Sequence, residues 1–116
     1  MNDYFGDLNT TVYVVNMHTS YVTDGKKMIQ IAVSNARVSE VILYASDRDN
    51  PTYVLRGHNG SNVGNVHFNG NHFVGLDPIS GNKIACYYSE EHAMSAAKFL
   101  CHKYVSEPDV VSAIIV

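Results

Sequence analysis

The chain has no tryptophan, only three prolines and two cysteines among 116 residues, and no run of Lys or Arg longer than Lys26-Lys27. Charged residues make up 16% of it, and the net charge is −3. A nucleic-acid binder needs a basic stripe to neutralise phosphates, and none is present. The eleven acidic residues are scattered, so an acidic mimic of nucleic acid is excluded as well. No apolar run approaches the ~20 residues of a membrane helix. The opening Met1-Asn2-Asp3-Tyr4-Phe5-Gly6-Asp7 is polar and acidic rather than leader-like. With just two cysteines, Cys86 and Cys101, each within a patterned segment, the expectation is a pair of small buried hydrophobes in a reducing, cytoplasmic compartment. Motifs of chemistry are missing too: no H-E-x-x-H, C-x-x-C or G-x-S-x-G occurs, and the Gly-rich stretch 57–70 lacks the ending of a phosphate loop.

What is present is a strong structural pattern. Residues 72–76 and 83–88 read as strands around a turn at 77–82, and a helix follows over 90–105. Ser89 stands at its N-cap, and Glu90 and Glu91 place negative charge in the first turn. Ala93, Ala96, Ala97, Leu100, Cys101 and Tyr104 form one apolar stripe, whose alanines allow close approach to a sheet. Leu100 and Tyr104 should bury most area there, so Leu100→Asp is expected to unfold the domain.

Elsewhere the chain reads as short strands. The first starts near Thr11, turns at Asp24-Gly25 and returns over 28–33, with Tyr21 facing Met28 and Met17 facing Ala32. Residues 38–45 form a further strand, 46–51 a loop ended by Pro51, and 52–56 the next strand. Asn59-Gly60 and Asn69-Gly70 suit type I′ turns. Residues 110–116 form a closing strand, and residues 1–9 a loose arm. The fold expected is a single α+β domain over residues 1–116: a mostly antiparallel, meandering sheet, one C-terminal helix packed on a face, and a final C-terminal strand.

Candidate sites are few. A two-residue Asn69-Gly70 turn pairs Phe68 with Asn71, His67 with His72 and Val66 with Phe73. The two imidazoles would then share the outer face as weak metal candidates, but zinc needs three or four ligands, and His58 and Asn65 are not fixed by any spacing. No metal or cofactor is therefore expected. Cys86 or Cys101 with His92 or His102 is the only thiol–imidazole choice. Cys101 and His102 are adjacent on a helix and point apart, so an enzyme is not expected, although Asp47, Asp49 and Asp77 could meet in space.

Eight tyrosines supply apolar area with a hydroxyl, which suits interfaces. Tyr53, Arg56, His58, Asn59, His67, His72 and Tyr87 are the partner-facing candidates. The leading expectation is a non-catalytic module, regulatory or inhibitory, that occupies a partner protein's surface in the style of small phage-encoded accessory proteins. A small-ligand or nucleotide binder using the Gly/Asn-rich hairpins is the alternative, and a cryptic metal-dependent hydrolase the third. Residues 113–116 could also pair two copies edge to edge.

Overall fold

A computed structural model describes residues 8–68, 73–77 and 80–116. The order is β1 (Thr11–Tyr21), a short 3₁₀ turn (Thr23–Gly25), β2 (Lys27–Tyr44), β3 (Asp47–Arg56), β4 (Asn62–Phe68), β5 (Phe73–Leu76), β6 (Lys83–Tyr87), α1 (Glu90–Val105) and β7 (Val110–Ile115). The architecture is α+β, a seven-stranded and mostly antiparallel sheet carrying one helix and a closing strand. One feature exceeds the sequence expectation. β1 pairs with β6 as well as β2, so strands β1 to β6 close into a ring of antiparallel neighbours. β7 lies outside the ring, parallel to the start of β2.

Two apolar clusters share the strands between them. Inside the ring, Val12 and Val14 of β1 meet Val38, Tyr53, Leu55 and Val66, all fully or nearly fully buried. On the outer face, Val15, Ile29 and Ile31 pack with Ala93 and Ala97 of α1 and Ala113 of β7. β1 therefore buries both faces, which is why Val12-Tyr13-Val14-Val15 is apolar without alternation. β2 serves the two clusters in succession. Ile29 and Ile31 face the helix, whereas Ala36 and Val38 face the ring interior.

That change of phase corrects the expected break between 28–33 and 38–45. The polar stretch Ser34-Asn35 marks where the buried face switches sides, and the backbone stays extended throughout β2. The loop expected at 46–51 is also strand. Ala45 and Ser46 form the turn, and Pro51 lies in an irregular stretch between the Tyr44↔Asp47 and Ile42↔Thr52 pairs, where its missing N–H matters least.

Three hairpins differ from their turn rules, each for a physical reason. β1 and β2 join through Thr23–Gly25, with Asp24 at φ 64° and Gly25 at φ 71°, giving Tyr21↔Lys27 and Met17↔Ile31. The expected register would set Ile29 and Ile31 against Ser20 and His18. The observed one sets Ile31 against Met17 and Val33 against Val15, so the burial pattern decides over the turn. In the β3–β4 turn only Gly60 has positive φ, at 82°, while Asn59 does not. Gly60 N donates to Gly57 O at 3.0 Å and Asn59 Oδ1 accepts from Ser61 N at 3.1 Å, so this is a three-residue loop rather than type I′. The β4–β5 register is Phe68↔Phe73 and His67↔Val74, two residues from expectation. An even slip preserves faces, and Val66, Phe68 and Phe73 do share one side.

The helix follows the sequence closely. Ser89 Oγ accepts from His92 N at 3.1 Å, as its capping position requires. The arm expected over 1–9 is ordered at its end, where Asn9 N donates to Val38 O at 2.7 Å. Residues 1–7 lie outside the described residues.

A candidate binding groove between helix and ring

α1 is centred over one half of the outer sheet face. Ala93 and Ala97 sit on β1, β2 and β7, while β6 and β5 follow β1 in the closed ring on the other flank of the helix. Small side chains at Ala85 of β6 and Ala96 of α1 leave the wedge unfilled. The result is an apolar groove of about 690 Å³. Val15 and Met17 of β1, Tyr87 of β6 and Val74 of β5 form its floor, and Phe99, Leu100 and Tyr104 its helical wall. Both rims face water: Phe99 is 70% exposed and Leu76 53% exposed. His67 and Lys83 supply polar groups to the lining, which among the described residues contains no carboxylate.

The residues singled out from sequence fall in different places. His67 and Tyr87 line the groove. Arg56, His58 and Asn59 stand at the β3–β4 turn, where Arg56 Nη1 donates to Gly60 O at 3.1 Å and Nη2 lies 3.6 Å from Glu40 Oε1. Tyr53 corrects the list of surface anchors. It is 1% exposed, and its ring meets Phe73 edge-on at 5.7 Å inside the ring of strands. His72 lies outside the described residues, and the residue opposite His67 is Val74, so that register pairs no imidazole with it. Asn65 Oδ1 is buried with no hydrogen-bond partner. Among the described residues no three His, Cys, Asp or Glu side chains are grouped to hold a metal ion. No helix among them is long and apolar enough to cross a membrane.

Sequence reasoning missed Phe99, Leu76 and Lys83. Phe99 offered a signal, being a large apolar residue off the helix stripe. The wedge itself follows from ring closure, which short strand patterns do not reveal.

The thiols are structural. Both are free: Cys86 is buried within the ring, and Cys101 Sγ donates to Ala113 O at 3.0 Å, tying the helix to β7. Burial pushes the Cys86 thiol up to about 12. An acid held protonated in the fold but free to ionise when unfolded stabilises the fold below its ordinary range. That stability is lost as pH rises from about 9 toward 12. Denaturant titrations above pH 9 should therefore show stability falling by up to about 1.4 kcal/mol per pH unit from this group. Cys86→Ala should flatten the slope between pH 9 and the onset of tyrosine ionisation, where Tyr87 and Tyr88, also raised by burial, add to it. An unchanged slope in Cys86→Ala would exclude this account.

Compared with protein-family models, curated proteins and solved structures, the chain matches none.

Proposed function

We propose that the protein is a non-catalytic binding module, regulatory or inhibitory in action, that receives an apolar segment of a partner protein in the groove between α1 and the β5–β6–β1 face. The observation that carries this reading is the pair of exposed apolar rims. Phe99 and Leu76 project on either side of a floor that is itself apolar. Leaving such a surface in water is unfavourable by roughly 25 cal/mol per Å² relative to covering it. Among the described residues the lining holds one imidazole, His67, and neither cysteine.

A small apolar ligand is the second reading, favoured by the groove's volume, which falls within the range of small-molecule sites. The Gly/Asn-rich β3–β4 turn is occupied by its own bonds, Asn59 Oδ1 being taken by Ser61 N and Oγ. The β7 edge is a separate surface for a second copy. Among the described residues it pairs with β2 alone, and Ile114 and Val116 are exposed.

A photoreactive phenylalanine analogue in place of Phe99 tests the main reading in lysate of the native host. The expected result is a discrete adduct of polypeptide mass that disappears when Leu76→Asp is added on the opposite rim. Adducts confined to small-molecule masses would favour the second reading, and polypeptide adducts indifferent to Leu76→Asp would remove the groove from consideration.

A further inference from the structure

We infer that the groove's occupant is an acidic amphipathic helix, with apolar side chains on the floor and carboxylates against Lys83 and Lys103. The inference rests on the groove being the protein-binding surface, as proposed above, and adds the chemistry of the partner.

Charge is the first ground. The chain carries eleven acidic and eight basic residues. Against that balance the groove lining, among the described residues, holds Lys83 and no Asp or Glu. Among the described residues Lys83 has no carboxylate within ion-pair distance, whereas Lys27 and Arg56 are paired with Asp109 and Glu40. Lys103 stands on the same side. Its Nζ lies 5.6 Å from the ring centroid of Tyr104, a wall residue. His92, Ala96, Phe99 and Lys103 recur at i, i+4, i+7 and i+11 and so form one edge of α1 along the groove. Glu91 is turned about 100° away from His92 on the helix.

Direction is the second ground. Tyr88 and Ser89 alone connect β6 to α1, so the helix runs back along the strand. Lys83 opens β6 and Lys103 lies in the last turn of α1, which places both cations at the same end of the groove. The other end carries His92, in the first turn of α1, while His67 stands level with Ala85 at the middle of β6 through their common neighbour Val74. A carboxylate-rich end with an apolar body matches that polarity.

The rims decide between a helix and a small anionic amphiphile. A single acyl chain lying on the floor would leave Phe99 and Leu76 in water. An α-helix, about 10–12 Å across with side chains, offers the wider body that contact with both rims needs. The helical edge from His92 to Lys103 is about 16 Å long, which an occupant of three turns matches.

The experiment uses the full chain and two synthetic peptides of about 16 residues, with Leu at i, i+3, i+4 and i+7. One carries Glu at its flanking and terminal positions; the other carries Lys in their place. Fluorescence anisotropy is read from low salt to 1 M NaCl. The Glu peptide is expected to bind at least about tenfold tighter at low salt, with the advantage vanishing at high salt. The Lys83→Glu, Lys103→Glu double variant should reverse the preference. Both positions are exposed, so its melting curve should stay near that of the parent and exclude misfolding. Equal binding of both peptides at every salt concentration overturns the inference while leaving the groove reading intact. If neither peptide binds but dodecanoate displaces an apolar dye, the protein-partner reading falls, and the inference with it. If nothing binds, both fall.

Discussion

Replacing Gly75 with valine will cost at least about 4 kcal/mol and leave no cooperatively folded protein. The cause is space rather than backbone freedom, since Gly75 is not among the positive-φ glycines. β4 and β5 approach so closely there that a Cβ would run into the Asn65 carbonyl and stand 2.9 Å from Val66 Cα. Those are backbone atoms of the neighbouring strand, and they can yield only by opening the ladder. Opening it at β4–β5 breaks the closed ring and exposes the interior cluster of Leu55, Val66 and Ile84. Alanine is expected to fail nearly as badly, because the first carbon is the obstacle. Gly64 makes the useful comparison. A Cβ there meets Ile84 Cδ1, the tip of a flexible side chain, so Gly64→Ala should cost about 1–3 kcal/mol and remain folded. Urea unfolding followed by far-UV circular dichroism reads both. A well-folded Gly75→Val protein with an unchanged midpoint would mean the two strands are not so closely apposed.

The second large effect concerns the helix. Ala97→Asp should destabilise by about 4 kcal/mol or more, because a carboxylate placed at a fully buried site gains neither water nor a partner. Leu100→Asp, which the periodicity alone marks as the unfolding substitution, should cost no more than about 2 kcal/mol. Leu100 is half-buried and lines the groove wall, so a carboxylate there can turn toward solvent. The wall of the hydrophobic layer is made by alanines. Ala93 and Ala97 let the helix axis come down onto Val15, Ile29 and Ile31, and the larger residues flank that line of contact. Parallel urea titrations of the two variants check the order. If Leu100→Asp proved the more damaging, the helix would be rotated from the orientation described.

Those two substitutions show where the sequence could be read and where it could not. The helix was readable to the residue, because Ser89, Glu90 and the apolar stripe act locally and agree with one another. The strands on either side of the 77–82 loop were readable for the same reason. Register was harder, since Asp24-Gly25 and Asn59-Gly60 both look like two-residue turns while cross-strand burial sets the pairing over longer range. Closure of the ring left little local signal at all. It depends on Gly64 and Gly75 admitting close neighbours, and a lone glycine in a strand has several meanings. The groove inherited that obscurity, being the gap between a curved surface and a straight helix. His67 was correctly placed on the outer face, though Val74 stands opposite it, because a slip of two residues spares the face.

β2 has a consequence for how the molecule comes apart. A single extended segment contributes Ile31 to the layer under the helix and Val38 to the ring interior, only seven positions later. Melting either cluster alone would strand half of this segment without its neighbours. Amide protons at positions 31 and 38 should accordingly exchange through one shared opening, with matched protection factors that rise and fall together across denaturant.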